Sequence, residues 1–306
     1  MIQSPLNYTG GKYKLLPQIL PLFPQNINTL VDLFCGGCNV GINVNCNKVI
    51  YNDLNENLLH LYNTFKNLDK DETLDRIYEI IEKYNLSLVS KNGYTYYECE
   101  SSKGLSNYNR DAYLKLRKDF NQKHADGKLD DDYYIMLYVM IVYSFNNQIR
   151  FNSHGEFNLP VGKRDFNKKM EQKLISFIDR IVRQNCIFSC RDFRDFDVFA
   201  LTSQDFVYAD PPYLITCATY NERGGWSETD EKDLLSFLDE LNGRNIRFAL
   251  SNVLRSKGRE NNILVDWLDK NADKYKIIQL NFSYSNSNYQ TKDKTSASEE
   301  VLIINY

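Results

Sequence analysis

The stretch TLVDLFCGGCNVG (residues 29–41), followed closely by KVIYND (residues 48–53), decides the fold. Its apolar part, residues 29–34, stops at Gly36 and Gly37, which is typical of a buried strand that enters a tight turn. The second apolar run ends on Asp53, and the segment between the two runs leaves room only for a brief helix. The pattern predicts a βαβ unit that opens a parallel sheet.

The same alternation returns in the second half of the chain. The apolar patterns predict helices at 168–183, 228–241 and 262–271, and strands at 186–188, 206–209, 246–250, 275–282 and 300–306. In the first half, apolar residues recur at helical spacing over 58–68, 74–84, 113–123 and 133–145. Residues 90–109, rich in Ser, Asn, Gly and Tyr, predict an irregular surface loop. The fold class is therefore α/β, a Rossmann-like sheet with a mostly helical insert.

Composition alone slightly disfavours a nucleic-acid partner, since the 306 residues carry a net charge of -3. The distribution is uneven, however. Residues 145–173 hold six bases against three acids, which fits either a basic binding face or an ordinary solvated surface. No apolar run approaches the length of a membrane span. The amino terminus lacks a secretory pattern, so the seven cysteines are expected in a reducing compartment, without disulfides.

Two cysteine pairs allow a more specific interpretation. Cys35 with Cys38, and Cys186 with Cys190, could together form a four-thiolate zinc site. Each pair lies beside a predicted strand, where cysteine is commonly a small buried hydrophobe, and this second interpretation is preferred. We therefore predict no metal site.

The turn after the first strand suits a ligand at the carboxyl end of a sheet. Gly36 and Gly37 allow close backbone approach, although a plain tight turn explains them equally well. The dinucleotide fingerprint would need glycine in place of Cys38, and no P-loop Gly-Lys-Ser/Thr follows. Asp53, at the tip of the adjacent strand, can accept hydrogen bonds from the ribose hydroxyls of an adenosine-containing cofactor. It can equally cap the helix that follows.

The stretch FVYADPPY (residues 206–213) carries the chemistry. Two consecutive prolines donate no amide hydrogen and fix two φ angles, so the strand ends there and its neighbours are held stiffly. Asp210 and the Pro211 carbonyl oxygen can accept hydrogen bonds from an amino group. Tyr213 can stack on a planar base. These groups predict a site for an aminated planar ring.

At this point the sequence resembles the Dam-like adenine-N6 DNA methyltransferases, the D12 class, over nearly its whole length. The motifs that carry the resemblance occur in the family's order: an aromatic before Gly-Gly-Lys, Phe-x-Gly-Gly-Gly, an acid after strand two, Asp-Phe, and Asp-Pro-Pro-Tyr. They correspond here to Tyr8 to Lys12, Phe34 to Cys38, Asp53, Asp192-Phe193, and Asp210 to Tyr213.

The resemblance implies transfer of a methyl group from S-adenosylmethionine to N6 of a flipped-out adenine, with S-adenosylhomocysteine as product. It implies a catalytic methyltransferase domain at 1–56 and 168–306 and an inserted target-recognition domain at 57–167. The catalytic residues would be Asp210, Pro211, Pro212 and Tyr213. The cofactor-binding residues would be Tyr8, Lys12, Phe34, Gly36, Gly37, Asp53, Asp192, Phe193 and Asp210.

The resemblance also concerns DNA. Residues 150–162 look like the family's major-groove hairpin, in which Arg150 would read a guanine through its bidentate fork and Asn152 and Pro160 would contact DNA. Residues 284–290 resemble a closing hairpin near the target. Two departures stand out, Cys38 for the third glycine and Asn7 where GATC-methylating relatives carry lysine, so the recognition sequence stays open.

The partners implied are double-stranded DNA and, in a restriction-modification setting, a cognate restriction endonuclease. A monomer in the cytoplasm of a bacterium or a phage host is expected. Protein and cytosine-N4 methyltransferases usually carry Asn or Ser in place of Asp210, and a nicotinamide enzyme would lack the Asp-Pro-Pro-Tyr element. A catalytically silent DNA-binding protein would have no physical reason to keep Lys12, Asp53, Asp210 and Tyr213.

Overall fold

The structure is a computed structural model, and it describes residues 1–216, 225–281 and 298–306. Contacts divide the chain into two compact units, each of which is discontinuous in sequence. The first unit comprises Met1–Gly11, Gly36–Asn43 and Asn55–Phe188, and the second comprises Lys12–Cys35, Val44–Leu54 and Ser189–Tyr306.

The second unit is built on a mostly parallel sheet. The strands of the sheet are β1 (Ile27–Asp32), β2 (Cys46–Asn52), β3 (Cys186–Ser189), β4 (Phe206–Ala209), β5 (Arg247–Ser256), β6 (Arg259–Glu260), β7 (Lys276–Leu280) and β8 (Glu299–Ile304), and all but the first three residues of β3 belong to the second unit. The order is β3-β2-β1-β4-β5-β8-β7, with β6 paired to β5. Strand β3 joins through Ser189, its residue in the second unit, whose carbonyl accepts from the Asp53 amide at 3.2 Å.

Strands β2, β1, β4 and β5 run parallel, whereas β8 is antiparallel to both β5 and β7. A parallel sheet needs cover on both faces, and its strands are accordingly near-continuous apolar runs. Helices α8 (Glu228–Gly243) and α9 (Asn262–Lys270) contribute leucines and Trp267 to the main core of this unit, together with residues of β1, β4, β5 and β8. The second unit also contains a short helix, α1 (Leu16–Ile19).

The first unit is largely helical. Its helices are α2 (Glu56–Lys83), α3 (Val89–Asn92), α4 (Ser102–Tyr108), α5 (Arg110–Ala125), α6 (Asp131–Tyr143) and α7 (Lys168–Arg183). Helix α6 is buried from Tyr133 to Tyr143 and packs against α2 and α5, as expected of a helix that is apolar on all sides. Asp69 interrupts α2 at φ 58°, and its carboxylate accepts from the Asp71 and Glu72 amides, which restarts the helix.

Most of the predicted elements are confirmed within a few residues. Helix α7 and strand β4 have the predicted bounds, and the two helices expected at 58–68 and 74–84 are the parts of α2 on either side of Asp69. The brief helix before β2 is a 3-10 turn, Gly41–Asn43. The predicted strand at 275–282 is β7, which ends at Leu280.

The irregular loop predicted at 90–109 is wrong, because this segment forms α3, the 3-10 turn Thr95–Tyr97 and α4. Buried hydrogen bonds hold this polar segment in place. The buried Tyr97 hydroxyl accepts from the Leu88 amide and from Asn92, both at 2.7 Å. The buried Asn109 side chain likewise contacts Ser87. Fixed hydrogen bonds of this kind let a polar segment keep short helices.

The compact units do not have the boundaries of the predicted domains, since α7 (Lys168–Arg183) belongs to the first unit. The assignment of 57–167 to DNA recognition stays a prediction. Among the residues that the structure describes, no helix is long and apolar enough to cross a membrane.

Gly162 marks a close approach of two backbones. Its amide donates to the Tyr143 carbonyl at 2.7 Å, and a Cβ at this position would lie 2.2 Å from the Ser144 carbonyl oxygen. Backbone on both sides leaves little room to adjust.

We expect Gly162→Ala to lower the free energy of unfolding by roughly 2 to 3 kcal/mol, because a methyl group cannot fit without backbone shifts. Gly243→Ala is the matched control, since nothing lies within 4 Å of its Cβ position. Urea unfolding of both variants measures the difference. Equal stability of the two would contradict the backbone contact.

Candidate active site

Hydrogen bonds align the carboxyl ends of the parallel strands. The Leu33 amide donates to the Tyr208 carbonyl at 2.9 Å, and the Cys35 amide donates to the Asn52 carbonyl at 2.8 Å. The segments that follow β1, β2 and β4 therefore start at one edge of the sheet. This edge is where open α/β sheets bind ligands.

Asp210 follows β4 at this edge and lies in a cluster of polar side chains. Its Oδ1 atom is 2.9 Å from Lys12 Nζ and accepts from the Tyr213 hydroxyl at 2.9 Å. A second carboxylate completes the cluster, since Glu300 Oε1 is 3.5 Å from Lys12 Nζ and 3.2 Å from the Tyr213 hydroxyl. The Lys12 ammonium also lies 4.9 Å from the centre of the Tyr213 ring.

These groups are largely withdrawn from water. The side chains of Lys12, Glu300 and Asp210 are 3%, 2% and 16% exposed. Burial raises the pKa of the Asp210 carboxyl above its ordinary value, although the Lys12 ammonium opposes the shift. Burial, together with the Asp210 and Glu300 charges, holds the pKa of Tyr213 well above its ordinary value. Tyr213 therefore stays a neutral donor, while Asp210 is a carboxylate with enhanced proton affinity.

Pro211 and Pro212 lie between Asp210 and Tyr213 in the sequence. Pro211 is buried and Pro212 is exposed. No residue in the described ranges donates a hydrogen bond to the Pro211 carbonyl oxygen. This oxygen and the Asp210 carboxylate are thus two acceptors one residue apart.

Glu300 was not among the predicted site residues. The sequence places it at the start of an apolar strand, where a carboxylate ordinarily faces solvent. The one signal is the run Val301 to Ile304, which is buried at every position and so leaves no solvent-facing side of the strand. From its second residue onward this strand is buried on both faces, so Glu300 has no solvent-facing position, although Glu299 before it is partly exposed.

Aromatic side chains form a second cluster in the same unit. Phe34, after β1, lies 5.7 Å from the ring centres of both Phe193 and Trp226, which are themselves 5.9 Å apart. Phe34 and Trp226 are half-buried, so part of each ring can meet a ligand. Trp226 was not predicted, and only this packing reveals it.

A buried carboxylate holds Trp226. Glu231, on α8, accepts from the Trp226 indole nitrogen at 2.6 Å through Oε2. Its Oε1 accepts from the side-chain amides of Asn252 at 3.1 Å and Asn261 at 2.7 Å. The Glu231 side chain is fully buried, so each of these donors is needed to offset the cost of its burial.

We expect Glu231→Gln to lower the free energy of unfolding by roughly 1 to 3 kcal/mol, because the amide nitrogen must then face another donor. Glu228→Gln is the matched control on the same helix, since Glu228 is 72% exposed and pairs only with Lys232 among described residues. Chemical denaturation measures both variants. An unchanged Glu231→Gln protein would contradict the buried network.

Asp53 does not cap the helix after β2. Asn55 does so, by accepting from the Leu58 amide at 3.3 Å, and α2 begins at Glu56. Beside Asp53, Asn52 donates to the carbonyls of Leu33 and Arg191, while its buried Oδ1 has no hydrogen-bond partner among described residues. Of the two interpretations of Asp53, the helix cap is therefore wrong.

Asp192 and Phe193 lie in a 3-10 turn before β4. The Asp192 carboxylate caps this turn and pairs with Arg194 at 3.1 Å. Arg194 also pairs with Asp230 and Asp233, and its guanidinium lies 4.5 Å from the centre of the Phe193 ring. Asp192 is thus already engaged by a cation.

The remaining predicted cofactor residues, Tyr8, Gly36 and Gly37, lie in the first unit. Gly36 has φ +43°, and a Cβ there would lie 2.6 Å from the Tyr8 ring, so glycine is required for this contact. Cys38 is buried with φ 57°, a left-handed conformation that favours glycine. The first-unit residues therefore form a local packing group of their own.

The predicted DNA-contacting segment folds as a short hairpin in the first unit. Phe151 pairs with Phe157, and the Asn152 side chain accepts from the His154 and Glu156 amides and so holds the turn. Arg150 donates to the Asn158 side chain at 2.7 Å and to its carbonyl at 3.2 Å.

Pro160 is exposed beyond this turn, and its carbonyl accepts from the Phe145 amide. The predicted closing hairpin, 284–290, lies outside the described residues.

The described part of the chain holds no group of three or more His, Cys, Asp or Glu arranged for a metal ion. Cys35, Cys38 and Cys186 are buried, whereas Cys190 is exposed, so the expectation of a buried hydrophobe is wrong for Cys190. Its sulfur lies 3.8 Å from the Leu54 carbonyl oxygen.

An acid, two prolines and a tyrosine at the end of a central parallel strand define a class of enzymes. The chain belongs to the D12 class N6 adenine-specific DNA methyltransferases, whose family model matches residues 8–286.

Individual relatives agree with this assignment. The chain is 42% identical over 312 residues to the modification methylase StsI of Streptococcus sanguinis, covering 100% of this chain and 43% of the relative. It is 42% identical over 311 residues to the type II methyltransferase M.FokI of Planomicrobium okeanokoites, with the same coverage. It is 27% identical to the DNA adenine methylase of Salmonella typhi, covering 81% of this chain and 79% of the relative. The chain thus spans less than half the length of the first two.

Proposed function

We propose that this chain transfers a methyl group from S-adenosylmethionine to N6 of an adenine that is flipped out of double-stranded DNA. The observation that carries the proposal is the pair of acceptors after β4. The Asp210 carboxylate is held by Lys12 and Tyr213, and the Pro211 carbonyl oxygen receives no hydrogen bond from the described residues. Family membership supports the same chemistry.

The two acceptors suit an exocyclic amine. An adenine N6 has two hydrogens, and its lone pair is delocalised into the ring. When Asp210 and the Pro211 carbonyl each accept one hydrogen, the nitrogen becomes more electron-rich and its lone pair can attack. Nitrogen gains a bond to the methyl carbon, the carbon–sulfur bond breaks with its electrons left on sulfur, and the amine loses one proton. Fixed acceptors of this type act by alignment and electrostatics.

Asp210 can also accept the proton that the amine loses. Its carboxylate would accept a hydrogen bond from the amine, and its raised pKa makes it a stronger acceptor than an ordinary aspartate. The Lys12 ammonium, 2.9 Å away, keeps the carboxylate ionised despite its burial.

The second unit offers groups that fit the cofactor. Phe34 and Trp226 are half-buried aromatic rings that can contact an adenine, and Asp53 ends the strand where a ribose would be bound. The unpartnered buried Asn52 oxygen lies next to Asp53 in sequence and can accept a hydroxyl. When bound, S-adenosylmethionine supplies an electrophilic methyl group on sulfur. Roles for Tyr8, Gly36 and Gly37 toward it rest on resemblance.

The Tyr213 hydroxyl donates to Asp210 and Glu300, and these contacts hold the side chain in place for a target base. With its hydroxyl end held, the ring has a defined plane on which an adenine can stack. Extrusion of the base costs a few kcal/mol, which contacts with DNA must offset.

For DNA recognition we infer a role for Arg150. Asn158 occupies its Nε and one hydrogen of Nη2, which leaves the outer edge of the guanidinium to donate to a guanine in bidentate fashion. Asn152 and Pro160 are expected nearby in the same contact. We expect the protein to act as a monomer in the compartment that holds bacterial or phage DNA, with a restriction endonuclease of the same specificity as the natural partner.

Asp210→Asn should lower kcat for adenine methylation by a factor of about 100 or more, because the amide can accept neither the proton nor two strong hydrogen bonds. Affinity for DNA should change little. In the wild type, kcat should fall on acidification at a pH above the ordinary aspartate pKa of about 3.9, since the raised pKa of Asp210 lets it take up a proton earlier.

Transfer of tritiated methyl groups to unmethylated DNA, with base-resolution mapping of the product, is the measurement. Asp266→Asn, an exposed aspartate on α9, is the control. A fully active Asp210→Asn enzyme would overturn the catalytic role.

Arg150→Ala should cost about 1 to 3 kcal/mol of discrimination at one base pair of the recognition site, because the bidentate donor is lost. The check is methylation rate on the cognate sequence against its single-base variants, with Lys128→Ala as a control for loss of an exposed positive charge in the same unit. Unchanged preference at every position would remove Arg150 from base reading.

A further inference from the structure

Glu300 lies in an unusual place for a carboxylate. It is the second residue of β8, which is paired on one side with β5 at Val253 and on the other with β7 at Leu280. Its side chain is 2% exposed, whereas that of the preceding Glu299 is 28% exposed and pairs with Arg255 at the surface. Burial of an ionised carboxylate is costly unless other groups compensate it.

The compensation comes from groups that Asp210 also uses. Lys12 and Tyr213 each bridge the two carboxylates, so that the four side chains form a closed ring of contacts. Lys12 is the nearer to Asp210, at 2.9 Å against 3.5 Å for Glu300. The ring holds one ammonium and two carboxylates. An ammonium that served only as a buried counter-ion for Asp210 would need no second acid.

We propose that Glu300 is a positioning residue for the methyl transfer: it shares Lys12 and Tyr213 with Asp210 and so prevents Lys12 from neutralising Asp210 completely. The Asp210 carboxylate then stays a strong acceptor for the target amine. This inference rests on the proposed function.

The charges around Asp210 agree with this role. Burial raises the pKa of Asp210, Lys12 and the Tyr213 hydroxyl lower it, and the Glu300 charge raises it. Tyr208 on β4 also interacts with Asp210; its hydroxyl is hydrogen-bonded to Ser251, and burial together with the Asp210 charge holds its pKa well above the ordinary value. Removal of the Glu300 charge therefore removes the one charge that opposes the effect of Lys12 on the pKa of Asp210 in this cluster.

Glu300→Gln keeps the shape and a hydrogen-bond acceptor but removes the charge. We expect kcat to fall roughly tenfold, because a less basic Asp210 is a weaker acceptor. The KM values for DNA and S-adenosylmethionine should stay within about twofold, since neither ligand touches Glu300 in this scheme. The acid limb of the kcat–pH profile should move to lower pH. A purely structural role would leave that limb in place.

Two companion variants, measured beside the wild type, make the outcome decisive. Glu299→Gln, on the same strand, is the matched control and should match the wild type in kcat and pH profile. Glu300→Asp keeps the charge, should retain the wild-type acid limb, and serves if the glutamine variant does not fold. A wild type that methylates DNA, with a folded Glu300→Gln unchanged in kcat and profile, or a folded Glu300→Asp whose acid limb moves although the charge is kept, would overturn the role of Glu300 alone. A wild type that binds DNA and cofactor without methylating adenine would overturn the proposed function itself.

Discussion

The second unit depends on one electrostatic constraint, the burial of the Lys12 ammonium. A buried lysine must have anionic partners, and here they come from Asp210, just after β4, and from Glu300, on the last strand. The three residues are separated by most of the chain, so the ion cluster exists only when β8 has inserted between β5 and β7. Charge balance thus joins the sheet order to the acceptor geometry.

That constraint explains why an otherwise parallel sheet ends in antiparallel pairing. Because β8 is antiparallel to β5, its second residue lies at the carboxyl ends of β4 and β5, whereas the second residue of a parallel β8 would lie at the opposite edge. This edge of the sheet therefore receives side chains both from loops that leave strands and from a strand that enters the sheet.

Much of this arrangement could be predicted from the sequence. Apolar runs that end at Gly36, at Asp53 and at the Asp-Pro-Pro-Tyr element predicted β1, β2 and β4 within a few residues, and the last element also indicated the candidate site. Local patterns of this kind suffice where each element is set by its own residues. The short helices at 90–109 were not predicted, because Tyr97 and Asn109 make buried hydrogen bonds that composition cannot reveal.

Three other residues were not predicted for a different reason. Glu300, Trp226 and Glu231 each depend on partners distant in sequence: Lys12 for Glu300, Phe34 for Trp226, and Asn252 and Asn261 for Glu231. Asp53 was ambiguous for the same reason, and the cap formed by Asn55 resolves only one half of that ambiguity. Long-range pairing of polar groups is a property of topology, which periodicity does not encode.

The two tryptophans of the chain occupy very different surroundings. Trp267 is buried, stacks on Tyr275 and donates to Asp239, so its emission should be constant. Trp226 is half-buried against Phe34, with its indole nitrogen bonded to a carboxylate. The fluorescence of Trp226 should therefore change when a molecule contacts Phe34. The protein carries its own optical probe of that aromatic surface, readable by fluorescence without a label and with Trp267 as an internal reference.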